Sequence, residues 1–150
     1  GDYLLKTAAR SADGWNFSWL GEFDAYAERS AAADRACEAS GRDPATLKRS
    51  VGAYVLAGTD DVDLKRRHER LVERTPSGVL QPGGSGSGVS LEEYGRTRVV
   101  GTASQVVDRL GSLEQPGVEE VIVSLGALPF QVADEEDVQF VGEEIASALR

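Results

Sequence analysis

Apolar residues along this chain recur with two periods, and the switch between them predicts its elements. Leu4, Leu5, Ala8, Ala9 and Ala12 repeat at threes and fours, the signature of a helix with one buried face, and Asp2 stands where a capping carboxylate belongs. A helix is therefore expected from almost the first residue. Asp13 to Phe17 is too brief for a helix and predicts a small strand or the end of one. Phe23, Tyr26, Ser30, Ala33 and Cys37 then mark a helix over about 22–40, closed by Gly41. Val51 to Ala57 is nearly unbroken apolar sequence, which predicts a strand covered on both faces, as in parallel sheets.

Thr59 to Arg74 has helical spacing, with Leu64, His68, Leu71 and Val72 on one side. Residues 75–98 break every period: Pro76, Pro82 and the run Gly83 to Gly88 predict a long flexible excursion, relieved by a capped turn at Ser90-Leu91-Glu92-Glu93. Thr102 and Gln105 form a second capping pattern, opening a helix that buries Val106, Leu110 and Leu113 and stops at Pro116-Gly117. Val121 to Leu125 predicts another buried strand. Val138, Val141, Ile145 and Leu149 predict a last helix over about 135–149, with Asp134 to Asp137 at its positive end. This alternation is an α/β pattern with parallel strands and outer helices. Three recognisable strands are few for such a sheet, and a chain that begins on a helix reads as cut from a repeating βα series.

Composition narrows the function. Sixteen basic residues against 25 acidic ones give a net charge of -9, with no basic run to meet a phosphate backbone, so nucleic acid is not an expected partner. No stretch reaches the length of a membrane span. One cysteine and one histidine exclude an internal disulfide and an ordinary zinc site, so no metal is expected, and the thiol content suits the cytoplasm. The absence of methionine and the Gly1-Asp2-Tyr3 start imply that residues precede this chain.

Four blocks in order carry a resemblance. Gly1 to Asn16, with its Ala-Asp-Gly-Trp close, resembles the segment of luciferase-like monooxygenases in which a Gly-rich turn leads into an Ala-rich helix. Cys37 to Pro44 followed by Ser50 is similar to that family's helix, Gly-Arg-Asp-Pro turn and strand. Val99-Val100-Gly101-Thr102 running into Val106 to Leu110 is similar to its Val-Gly-Thr helix start, and Gly117 to Val123 to its last strand. The resemblance implies the C-terminal half of a (β/α)8 TIM barrel over residues 1–150. It also implies a flavin- or F420-dependent oxidoreductase or monooxygenase acting on a small organic substrate, with reduced FMN or coenzyme F420 as the hydride-carrying cofactor. The expected partner is the N-terminal half of the barrel, on the same or a separate chain, and a complete protein is expected to be a homo-oligomer. The alternative is a non-catalytic, split or degenerate half-barrel acting as a binding or assembly module.

Candidate cofactor residues follow from the resemblance. Gly1 and Asp2 occupy the turn whose free helix amides suit a cofactor phosphate, against the plainer reading of a capped helix start. Trp15 and Asn16 are expected where a barrel strand ends, against a packing role for the indole. Phe17 and Trp19 are secondary candidates, as are Gly58, Thr59, Ser124 and Gly126 at strand ends. Arg96 and Arg98 could reach an anionic substrate or cofactor tail from the loop, against the plainer reading of solvated charges; His68 is read as a packed histidine and Cys37 as a small buried hydrophobe. No nucleophile and base pair emerges, so the catalytic residues are unknown, in keeping with chemistry carried by a cofactor.

Overall fold

The computed structural model describes residues 2–20, 23–76, 79–80, 89–114, 117–128 and 131–149, with Trp19, Leu20, Phe23 and Asp24 described by backbone alone. Gly1, Pro82, the Gly/Ser run 83–88, Pro116 and the side chain of Trp19 lie outside that description.

Among the described residues four parallel strands make one sheet, β1 (Gly14–Leu20), β2 (Lys48–Gly58), β3 (Val99–Thr102) and β4 (Glu120–Ser124). All three others pair with β2. Its first half takes β1, from Gly14 opposite Lys48 to Phe17 opposite Val51, and also β4, from Ser50 opposite Glu120 to Tyr54 opposite Ser124. Its second half takes β3, from Val55 opposite Val99 to Gly58 opposite Thr102. The unbroken apolar run is thus explained: eight of eleven β2 residues are buried, because one face is covered along the strand and the other towards its C-terminal end. Two differences from the sequence reading are that β1 continues to Leu20 and that β3 exists at all, its four residues being too few to show an alternation.

Six α-helices accompany the sheet among the described residues: α1 (Asp2–Ser11), α2 (Phe23–Ala39), α3 (Asp61–Arg74), α4 (Leu91–Gly95), α5 (Ala103–Gly111) and α6 (Glu135–Phe140). The predicted helix of 135–149 instead widens after Phe140 into a π turn, Val141–Ala146. Leu5 and Ala9 of α1 pack on Ala33 and Cys37 of α2, so these two helices run side by side in the same direction. Arg49 is buried and joins α2 to the start of β2, donating to Ser30 Oγ at 3.0 Å and Asp34 Oδ1 at 2.8 Å.

The two faces of the sheet differ in chemistry. Val51, Ala53, Val55 and Ala57 of β2, with Trp15, Phe17, Val121 and Val123 beside them, pack against Tyr26 of α2, Val106 and Leu110 of α5, and Phe140 and Ile145 at the C-terminal end. The alternate positions, Asn16, Ser50, Gly52, Tyr54, Ile122 and Ser124, share the opposite face through the strand register. Towards the C-terminal ends of the strands this second face is covered by Leu64 and Leu71 of α3 and by Tyr94 of α4, which pack with Leu56. Towards the start it is open, and Ile122 is 43% exposed there.

An ion cluster fixes α3 against the beginning of α6. Arg67, only 3% exposed, donates to Asp63 at 2.8 Å, Asp137 at 2.6 Å and Glu136 at 3.0 Å while lying over the Phe140 ring. Arg70 reaches Asp137 and Glu136, and Arg66 reaches Asp63 and Glu136. Enclosed guanidinium groups need this saturation, because a buried charge without partners costs several kcal/mol. Burial pushes the Asp63 carboxyl up, but hydrogen bonds from Arg67, Arg66 and the Thr59 N–H outweigh it and hold it well below the usual range. Hydrogen bonds from Arg66 and Arg70 hold Glu136 down at about 2.

Two outcomes test this architecture. A Cβ at Gly58 would lie 2.5 Å from the Leu64 backbone nitrogen, so Gly58→Ala is expected to destabilise the fold by ~2 kcal/mol in denaturant titration. The second concerns acid. His68 is buried and held below its ordinary 6.5 chiefly by desolvation, so the unfolded chain takes up a proton first and stability should begin to fall below pH 6.5. The depressed carboxyls add a second decline from about 4.5 down to about 2. Thermal unfolding scans across this range check it: His68→Phe should remove the first phase and Glu136→Gln part of the second, with salt weakening the half-exposed Glu136 contribution.

Candidate functional site

Parallel strands that each lead into a helix bring the strand C-termini and the helix N-termini to one end of the molecule. β2 delivers Gly58 and Thr59 to that end. Asp60 then caps α3 by accepting from the Val62 and Asp63 N–H groups, both at 2.9 Å, and the Thr59 N–H donates to Asp63 Oδ2 at 3.1 Å. β3 delivers Thr102, whose N–H donates to Gln105 Oε1 at 2.9 Å to open α5. β4 delivers Ser124, whose hydroxyl donates to the Leu128 carbonyl at 3.1 Å, and Gln131 Oε1 accepts from the Ala127 and Leu128 N–H groups. Because α1 runs alongside α2 in the same direction, its start joins the same end.

Asp2 stands at that start and is exposed, paired with Arg29 of α2 at 3.0 Å. Hydrogen bonding and charge from Arg29 lower its pKa. Trp15 and Asn16 lie elsewhere: β1 begins, rather than ends, at this point, so both are at the opposite end of the sheet from Asp2. Trp15 is half-buried, stacked on Tyr26 with centroids 6.1 Å apart and edge-on to Phe17 at 6.0 Å. Its ring belongs to the helix-covered face. Asn16 occupies the open face, donating through Nδ2 to Ser50 Oγ at 2.9 Å and accepting from the Ser18 hydroxyl. The structure therefore separates the candidate residues into an α1 turn and the foot of β1.

What the sequence reading missed is a stack of rings and charge at the C-terminal end. The Arg98 guanidinium lies 5.5 Å from the Tyr54 ring centroid and 4.3 Å from that of Tyr94. His68 follows, its ring 5.5 Å from Tyr94. Tyr94 is 1% exposed and donates from its hydroxyl to the Gly126 carbonyl at 3.4 Å; burial pushes its pKa up to about 12. Arg98, which the sequence leaves between a solvated charge and a reach towards an anionic ligand, is half-buried, and its Nε is enclosed without a hydrogen-bond partner. The spacing of Tyr94 and Arg98, four residues apart, was the available signal. Tyr54 comes from 44 residues upstream and gave none.

Neither a family model nor a curated protein matches this sequence. The fold does have solved counterparts. All of the chain superposes on 49% of a coenzyme F420-dependent tetrahydromethanopterin reductase from Methanopyrus kandleri, with a TM-score of 0.71 and 17% identity. A riboflavin lyase solved with modified FMN and riboflavin takes 97% of the chain onto 40% of its own, with a TM-score of 0.69 and 13% identity. EDTA monooxygenase from Chelativorans sp. BNC1 takes 99% onto 44%, with a TM-score of 0.67 and 18% identity. The chain thus spans about half the length of the structures it matches, which are luciferase-like monooxygenase family members. Identities this low establish the fold: a mixed α/β unit of parallel strands and helices equivalent to about half of a luciferase-like (β/α)8 barrel.

Proposed function

We propose that this chain is the C-terminal half of a (β/α)8 oxidoreductase that binds FMN or coenzyme F420 at the C-terminal ends of its strands. The observation that supports this most is the incompleteness of the sheet. Among the described residues β1 and β4 each pair with β2 alone, so the outer edges of both are open. A cleft of about 1120 Å³ lies beside β4, lined by Val121 and Val123 together with Leu110 of α5 and Ile145. Four further strands closing onto those edges would complete a barrel and turn the polar face of Asn16, Ser50, Tyr54 and Ser124 inward.

The residues present fit such a cofactor. The start of α1 offers unpaired backbone amides and a positive dipole end, with Arg29 neutralising the Asp2 carboxylate. Gly1 and Asp2 are thus proposed to face the cofactor phosphate. Asn16 is proposed to contribute to the polar floor beneath the ring system, and Trp15 to hold the foot of that strand. When bound, reduced FMN or F420 supplies the hydride chemistry, and the chain's own part is to bind, orient and exclude water from a small organic substrate.

Titration of the full-length protein with FMN and with F420, followed by fluorescence, tests the reading. One of the two is expected to give saturable quenching, weakened by Arg29→Glu, which leaves the Asp2 carboxylate unneutralised and adds a second negative charge beside the phosphate. Full-length, folded material that quenches neither would sink the proposal.

A further inference from the structure

We propose that Arg98 is the receptor for an oxyanion, a carboxylate, sulfonate or phosphate carried by a small ligand bound at the C-terminal end of the sheet. This rests on a ligand occupying that end, as above, but not on its being a flavin.

In a chain with 25 acidic residues against 16 basic ones, a half-buried guanidinium would be expected to find a carboxylate. Arg67, Arg70 and Arg49 do so. Among the described residues no carboxylate lies within ion-pair distance of Arg98. Its side-chain hydrogen bond goes to a neutral oxygen, Thr97 Oγ1 at 3.2 Å, and its guanidinium otherwise lies over the Tyr94 ring. Its Nε is enclosed without a partner. Partial removal of a cation from water with no counter-charge is costly, and an arriving anion would repay it.

The surroundings prepare the group for that task. Tyr54 and Tyr94 hold the guanidinium by cation–π contact, and Tyr94 is anchored to the Gly126 carbonyl. Tyr54 stands in register with Ser124, on the face that also carries Asn16 and Ser50. A planar fork fixed in this way is suited to a two-oxygen acceptor, which a lysine ammonium would meet only as a point charge.

The test is titration of the full-length protein with inorganic phosphate, methanesulfonate and benzoate, reading the Arg98 Nε–Hε resonance by NMR. At least one anion is expected to shift it saturably. Arg98→Gln should abolish binding of that anion, and Arg98→Lys, which keeps the charge should the glutamine variant not fold, should weaken it about tenfold. An Arg98 resonance unmoved by all three anions, or undiminished anion binding in both variants, would overturn the proposal. FMN and riboflavin, which differ by the phosphate, locate the source: if Arg98→Gln weakens FMN but not riboflavin, the oxyanion is the cofactor's, and if it weakens neither while anion binding is lost, it is the substrate's. The anion titration needs no flavin, so it can succeed where the flavin titration fails, and the reverse.

Discussion

Everything in this molecule hangs on β2. Eleven residues long and buried at eight of them, it must find hydrogen-bond partners along its whole length, because an orphan buried amide or carbonyl costs about as much as a lost hydrogen bond. It finds them in three different strands. All three run parallel to it, so each return path is a crossover, and the helix that follows each strand starts at the same end of the sheet. The collection of caps at Asp60, Thr102 and Asp134 is a consequence of that one geometry.

The same geometry separates two kinds of work. The face of β2 that carries Val51, Ala53, Val55 and Ala57 is apolar because helices press on it. The face that carries Ser50, Gly52 and Tyr54 is more polar because, over its first half, no described helix covers it. Here alternation within an almost continuously apolar strand is hidden: a serine, a glycine and a tyrosine do not look like a polar stripe until the register sets them beside Asn16 and Ser124.

Sequence reading reached the elements whose signal is local. The helix over α2, the capped turn at Ser90 and Glu93, the α5 start and the strand at 121–125 all declare themselves within a few residues, through period or capping chemistry. It placed Trp15 at a strand's end rather than its beginning, because Trp15 and Phe17 fix an alternation but not where the pairing starts, which depends on Lys48 and Arg49 of β2. The burial of Arg98 and Arg67 was out of reach for a related reason. A guanidinium is classed as exposed on average, and only the assembled fold reveals that Tyr54 flanks one and that Asp137, 70 residues on, neutralises the other. The apolar residues Val89, Leu91 and Tyr94 show in addition that the described part of the connection before β3 packs onto α3 rather than standing away from it.

The distance along the chain between β2 and β4 has a further consequence, for the order in which the protein can fold. Arg49 and Glu119 meet across 70 residues, whereas Asn16 and Ser50 meet across 34. Closure of the longer loop carries the larger entropic cost and comes late. On the ribosome, β1 and β2 can associate well before β4 has been made. During that interval the far edge of an apolar strand has unmet backbone groups, and a nascent chain in this state is sticky towards other nascent chains. The Arg49 clasp on Ser30 and Asp34, all within the first fifty residues, is complete by then and can hold the early pair in place while the rest of the sheet is synthesised.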